Sequence, residues 1–407
     1  MMSEIVKKVL KSMKTNGVKH TLFLCCKGLE SEMYNRNWNV PTNNQQVPSQ
    51  PYKITMSHNK LNIGIIVAGG LGDYLISANY IYRLIQKYGA EKFRVYILVH
   101  HGFGSAASVF GNNEFVFHMM KPGEYDNRLN EFDIALQVVR FPEVKTYNAE
   151  RVMAICPSFV DYILLCEKFR IENERFFKYV PQLDGESGYF SVKQHHKRVN
   201  QADIYNHLGL TEKYEFPIYY PSEKEILEKF NLYGKKYVII HRGIDSSGPD
   251  TSVKMWPIEK YVELVKLIKQ KYPDLILIQI GIPTDAKINA NLDYNFVGCT
   301  TLDEVKVLSK CCSILIDNEG GIVHLRHALG GGTSIVLFGA TSPAFYGYSE
   351  NSNVYRSTCP ICCEWTVSDW QDQCILGSPK PPCMECISPQ TVMDEFVKCI
   401  EEGALDD

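Results

Sequence analysis

Residues 62–89 read NIGIIVAGGLGDYLISANYIYRLIQKYG, and RVYILVH follows at 94–100. An apolar run, a glycine-rich loop, an amphipathic run and a second apolar run succeed one another, the order of a strand, helix, strand unit. The stretch predicts a Rossmann-like domain whose first strand begins near Leu61. EFDIALQVV at 131–139 predicts a further strand and VMAICPSFVDYILLCEKF at 152–169 a helix, while the segment onward to about Pro221 carries no clear pattern.

A second series of the same kind begins at KKYVIIHRG (235–243) and continues through PIEKYVELVKLIKQKY (257–272), DLILIQIG (274–281), TLDEVKVLSKCC (301–312), SILIDNEGG (313–321) and TSIVLFG (333–339). In the first of its helices Ile258, Tyr261, Val262, Val265 and Ile268 fall on one face, and Pro257 stands near the start, where a missing N–H costs least. Two parallel-sheet domains in series imply a cleft, with ligands at the carboxyl ends of the strands. Residues 35–58 are rich in Asn, Gln, Pro and Ser with no apolar period, which is linker composition. Residues 3–29 hold a helical pattern and the apolar run TLFLCC, enough for a small appendage or a contact with another subunit. The expected division is an appendage and linker over 1–58, a first Rossmann-like domain over 59–221 and a second over 222–407.

Length and composition agree with two globular α/β domains: 407 residues, 45% hydrophobic and 22% charged. A net charge of −3 lacks the basic excess of nucleic-acid-binding domains, so nucleic acid is not an expected partner. The start MMSEIVKKVLKSMK is amphipathic at best and no run approaches the roughly 20 apolar residues of a membrane span, so a cytoplasmic location is expected. Six of the 14 cysteines lie between Cys359 and Cys386, a clustering that favours a metal over a disulfide framework.

Three motifs carry chemistry. In Gly69-Gly70-Leu71-Gly72-Asp73 the glycines permit tight backbone turns and the amides can face an anion; spacing alone allows equally that the loop only turns the chain and Asp73 caps the helix. In HRGIDSSGPDTSVKMWP (241–257) the ammonium of Lys254, with Arg242, Ser252 and nearby amides, suits a diphosphate leaving group, the alternative being a solvated lysine at a helix start. In IDNEGGIVHLRHALGGGTSIVLFGATSP (316–343) Gly320 and Gly321 allow close backbone approach and Glu319 can accept hydrogen bonds from sugar hydroxyls. His324 falls on the first turns of the following helix and faces the loop, or is a buried structural histidine. Tyr346 and Tyr348 stand near enough in sequence to line the cleft, and the adjacent pairs Cys25-Cys26 and Cys311-Cys312 read as packing.

The order GGLGD, KMWP, VGCTTLDEV, DNEGGIVHLRHALGGGTSIVLFGATSP and a cysteine-bearing tail resembles glycosyltransferase family 9, the ADP-heptose heptosyltransferases, over roughly residues 61–400. The tail is most similar to that of the bacterial autotransporter heptosyltransferases. The resemblance implies an α/β fold of GT-B type, two Rossmann-like domains facing a central cleft, with a small N-terminal appendage. It implies Asp73 as catalytic base and Lys254 as the diphosphate lysine. Gly70, Gly72, Arg242, Ser252, Asp285, Glu319, Gly320, Gly321 and His324 then hold the donor, Asp285 at the position that takes the nucleotide ribose. Glu319 stands where family members often have Asp.

The implied reaction inverts the anomeric carbon: an acceptor hydroxyl loses its proton to Asp73 and attacks opposite the departing nucleoside diphosphate. No Asp-x-Asp motif is present, so no catalytic divalent metal is expected. Cys359, Cys362, Cys374 and Cys383 are the expected ligands of a structural iron or zinc, with Cys363 and Cys386 as substitutes. Expected partners are ADP-heptose and either an autotransporter adhesin or the lipopolysaccharide core, with the enzyme a homo-oligomer. A non-catalytic nucleotide-sugar-binding or assembly protein and a sugar-nucleotide epimerase are the competing readings; a NAD enzyme is disfavoured because GGLGD lacks the third glycine of the dinucleotide fingerprint.

Overall fold

Strands form where the apolar runs stand, and the computed structural model describes residues 52–139, 141–177, 208–212, 214–243, 253–355, 374 and 376–405. In the first half β1 (Leu61–Val67), α1 (Leu71–Tyr88), β2 (Phe93–Val99), α2 (Phe103–Phe110), β3 (Val116–Met120), β4 (Ile134–Val139) and β5 (Phe141–Tyr147) succeed one another. They build a five-stranded sheet of order β3-β2-β1-β4-β5. Its first four strands are parallel and β5 returns antiparallel along β4. The predicted helix over 152–169 is two helices, α3 (Ala149–Ile155) and α4 (Phe159–Phe177). Pro157 has no N–H to continue the first, whose last turn closes on the Cys156 N–H to the Val152 carbonyl.

The second half opens with α5 (Glu223–Lys229) and continues as β6 (Tyr237–His241), α6 (Ile258–Lys271), β7 (Ile276–Gly281), β8 (Tyr294–Val297), α7 (Leu302–Cys311) and β9 (Ile314–Asn318). Then come α8 (Gly321–Ala328), β10 (Ser334–Phe338), α9 (Pro343–Tyr346), β11 (Ser352–Tyr355), α10 (Pro382–Glu385) and α11 (Pro389–Glu401). The six strands are all parallel, in the order β11-β10-β9-β6-β7-β8. Pro257 caps α6, whose residues Tyr261, Leu264, Val265 and Ile268 are buried, with Ile258 and Val262 half-buried at the margin of that face. Beyond the TSIVLFG strand expected from the sequence, β11 adds an edge to β10, and α11 closes the sheet face by packing Val392 and Phe396 with Tyr261 and Ile268.

A single apolar cluster runs from β1 and α1 through α2 into α7 and α8, so the core is continuous between the two sheets. A buried cation fastens the same seam. The Lys306 ammonium donates to the Ser108 carbonyl at 2.8 Å, the Tyr219 carbonyl at 2.9 Å and Asp303 Oδ1 at 2.7 Å. Burial pushes its pKa down, and Asp303 opposes that fall. Cys311 and Cys312 are packing residues as expected, Cys312 buried against the Arg326 guanidinium. Cys25 and Cys26 lie outside the described residues. Among the described residues no helix is long and apolar enough to cross a membrane.

Candidate active site

The loop between β1 and α1 ends at the first turn of a long helix, and Asp73 is the third residue of that helix. Its Oδ2 accepts the Gly70 N–H at 3.0 Å, so the carboxylate satisfies one of the donors a helix start leaves open. The capping expectation for Asp73 is therefore met, and the catalytic one is compatible with it because a carboxylate has further lone pairs to offer. Gly69 has φ of 117°, and a Cβ there would stand 2.4 Å from Asp73 Oδ2, so only glycine lets the backbone pass over this carboxylate.

Gly72 faces the second half of the molecule. A Cβ at Gly72 would meet His324 Cδ2 at 2.5 Å, and a Cβ at Gly321 would meet Leu71 Cβ at 3.0 Å. The start of α1 and the start of α8 are thus in contact through two glycines, and the loop that bears Asp73 abuts the His324 ring. Gly320 is extended, with φ of 179°, and caps α8.

Beside that contact sits a buried ionic group. Lys254 Nζ lies 2.5 Å from Glu319 Oε2, which also accepts the Thr341 hydroxyl at 2.9 Å, and His324 Nε2 lies 3.9 Å from Glu319 Oε1. Burial pushes the Glu319 carboxyl up, but Lys254 and His324 outweigh it and hold the group well below the usual carboxylate range. His324 Nδ1 is 2.6 Å from the Tyr348 hydroxyl, and the Tyr348 ring stacks on His327 with centroids 3.6 Å apart. The Tyr346 ring lies 5.8 Å from the Lys254 ammonium. Both tyrosines therefore belong to the same cluster. The backbone next to Lys254 is fixed from the strand side, because Asn318 Oδ1 accepts the Trp256 N–H at 3.0 Å.

One strand over, Asp285 Oδ2 accepts the Ile282 N–H at 2.7 Å just past β7 and lies 3.9 Å from His241 Nε2. His241 Nδ1 is 2.8 Å from Asp317 Oδ1. Burial pushes the Asp317 carboxyl up to about 6 while His241 opposes it. Burial drives the His241 imidazole down, but the two carboxylates prevail and hold its pKa above the ordinary value. The pair titrates as a unit. Burial also raises the Asp285 carboxyl. Arg242, buried beside them, adds positive charge near Asp285. A Cβ at Gly243 would stand 2.4 Å from Asp285 Oδ2 and 2.7 Å from His241 Nε2, so the chain passes hard against this trio.

The fold thus brings Gly70, Gly72, Asp73, Lys254, Glu319, Gly320, Gly321 and His324 to one place, and Arg242 and Asp285 to the neighbouring strand ends. Ser252 lies outside the described residues, as do Cys359 and Cys362. Cys374 packs against Val253 and Ala340, and Cys383 is buried on α10. The Cys386 thiol donates to the Pro382 carbonyl at 2.7 Å. Sequence reading missed Thr341, His241, Asp317 and His101, whose ring touches the Asp73 loop. Nothing in their local pattern sets them apart from strand-end residues.

Residues 167–368 match the model of glycosyltransferase family 9 (heptosyltransferase). The chain carries a family 9 glycosyltransferase domain. It is accordingly a glycosyltransferase, and the matched segment takes in β6 to β11, hence Lys254, Asp285, Glu319 and His324. No curated protein matches the sequence. Among solved structures it resembles the E. coli ADP-heptose lps heptosyltransferase II, with TM-score 0.52 and 16% identity over 84% of this chain and 99% of that one. A family 9 glycosyl transferase from Veillonella parvula DSM 2008 gives TM-score 0.55 and 15% identity over 86% and 100%. The iron-containing dodecameric glycosyltransferase TibC from enterotoxigenic E. coli H10407 gives 0.53 and 13% over 86% and 78%. These likenesses establish the fold of the glycosyltransferase, two Rossmann-like domains of GT-B type.

The Glu319 ion pair has a consequence for stability. A carboxyl held low in the folded state contributes stability above its unfolded pKa of about 4.3 and loses it as the pH falls below that value. Glu319→Gln removes the carboxylate 2.5 Å from the Lys254 ammonium and is expected to destabilise the glycosyltransferase at neutral pH by about 3 kcal/mol, the low end for breaking a buried pair. Its urea midpoint should also fall less steeply below pH 5 than that of the wild type. Parallel acid limbs in the two proteins would mean that Glu319 titrates normally.

Proposed function

We propose that the glycosyltransferase is an inverting heptosyltransferase that moves heptose from ADP-heptose to an acceptor hydroxyl, a serine or threonine of an autotransporter adhesin. The observation that carries this reading is the meeting of the Asp73 loop with the Lys254, Glu319 and His324 cluster across the Gly72 contact. A base from one half and a diphosphate cation from the other are what an in-line displacement at a sugar carbon requires. In this reading residues 59–221 serve the acceptor and 222–407 the donor. Lys254 and Arg242 take the diphosphate charge with the N-terminus of α8, Asp285 the ribose, and Glu319 and His324 the heptose hydroxyls. TibC has also been solved in complex with ADP-D-beta-D-heptose, which supports the choice of donor.

The protein acceptor rests on the cysteine tail, the feature that distinguishes the autotransporter enzymes in the sequence comparison of motifs. Co-expression with an autotransporter passenger should raise the passenger's intact mass in heptose steps. Modification of a lipopolysaccharide-core acceptor alone would shift the assignment to core assembly.

The tail thiols suit a structural iron or zinc. Cys374 packs against Ala340, and a Cβ at the preceding residue, Gly339, would stand 2.6 Å from Met384 Sδ, next to Cys383. Cys374 therefore lies at the turn after β10, Cys383 adjoins a residue that packs there, and thiolate sulfur is the donor that both metals favour. With Cys359 and Cys362, which lie outside the described residues, they would make up a four-thiolate set that fastens the tail. The purified protein should carry about one such metal per chain, and Cys359→Ser with Cys374→Ser should remove it. Unchanged metal content by elemental analysis would end this ligand set.

A further inference from the structure

We propose that His101 is a positioning residue that holds the Asp73 loop in its working conformation, an inference that rests on the heptosyltransferase reading for its effect on turnover. The Gly69 N–H donates to His101 Nε2 at 3.1 Å. Gly69 is the residue whose α-carbon lies against the Asp73 carboxylate, and the next amide, of Gly70, is the one that carboxylate accepts. On the other side of Asp73, the Tyr74 hydroxyl donates to the His101 backbone carbonyl. His101 therefore grips the loop at both flanks of Asp73, once with its ring and once with its backbone.

The arrangement is built rather than incidental. Gly102 adopts the left-handed region with φ of 61°, which turns the chain after β2 back towards the loop, and a Cβ at Gly102 would stand 3.5 Å from Tyr74 Oη and 3.6 Å from the Gly69 carbonyl. Tyr74 itself is fully buried, so its hydroxyl gives the His101 carbonyl a fixed partner. Accepting at Nε2 places the proton of the neutral ring on Nδ1. The ring is exposed and its bond to Gly69 adds little to global stability, but Gly69 at φ of 117° has a backbone free to turn elsewhere once the ring lets go. A small displacement of a base from its reacting proton costs rate far out of proportion to its energy.

Substitution isolates the ring, because the carbonyl grip of Tyr74 survives any side chain at position 101. His101→Ala should lower kcat about ten- to a hundredfold with KM for ADP-heptose and for the acceptor nearly unchanged. His101→Gln, which presents an acceptor at a similar reach, should recover most of the loss. Hydrogen exchange gives a readout independent of activity: the amides of Gly69 and Gly70 should exchange faster in His101→Ala and return towards the wild-type rate in His101→Gln. Unchanged exchange in His101→Ala overturns the grip, and a raised acceptor KM at normal kcat would make His101 an acceptor contact instead. A wild-type protein without heptose transfer overturns the functional reading, whereas the exchange arms still decide whether His101 holds the loop.

Discussion

Asp73→Asn should lower heptose transfer by about 100- to 10,000-fold, the usual contribution of a general base. The amide keeps the size and polarity of the carboxylate but cannot take the acceptor's proton. The structure makes this variant informative because Asp73 also caps the helix: its Oδ2 accepts the Gly70 N–H, and an asparagine oxygen can accept the same donor. Thermal unfolding should consequently stay close to wild type. Donor binding should also persist, since Lys254, Glu319 and Asp285 all lie in segments that follow strands of the second sheet. A stable variant with near-normal turnover would leave Asp73 as a helix cap and nothing more.

Lys254→Ala should weaken ADP-heptose binding by roughly 1.5 to 3 kcal/mol, the range for a hydrogen bond to a charged group. Lys254 is not an idle surface cation. Its ammonium is 2.5 Å from Glu319, and the side chain is only 17% exposed. An arriving diphosphate must share that ammonium with Glu319, so the measured affinity is the net of a new contact and a loosened old one. The alanine variant also leaves Glu319 buried with Thr341 and His324 alone, and its carboxyl pKa should climb from the low value that Lys254 now enforces. Calorimetry well below the unfolding temperature separates the two effects. Unchanged affinity would remove Lys254 from the donor site.

The two βαβ series were legible because a strand buried on both faces writes itself as an unbroken apolar run, and the loops between strand and helix announced themselves by glycine. The positions of Asp73 and Glu319 at strand-to-helix loops followed from that, whereas Asp285 came from the family resemblance. Less could be read where meaning depends on what lies across space. β5 runs antiparallel against β4 with a mixed pattern, and β11 is only four residues long, too short for any period to register. The break between α3 and α4 had a signal in Pro157, overridden by the apolar residues on both sides of it. Gly72 signals a turn in the sequence, whereas its role is to admit the His324 ring from 252 residues away. That Lys254 and Glu319 are partners, and that Thr341 joins them, is likewise a fact of segments after three separate strands meeting, which no local pattern encodes.

The contacts of Trp256 bear on how the chain can be cut. The indole is fully buried, and its Nε1–H donates to the Ile387 carbonyl at 3.0 Å, while Lys260 reaches the same carbonyl at 3.1 Å. Both donors belong to the segment that follows Lys254, and they depend on backbone that lies 131 and 127 residues downstream. A fragment ended after β11, where the sheet is complete, would strip the acceptor from a buried indole N–H and expose the apolar face that α11 covers. The smallest soluble form of the second half therefore has to run through α11.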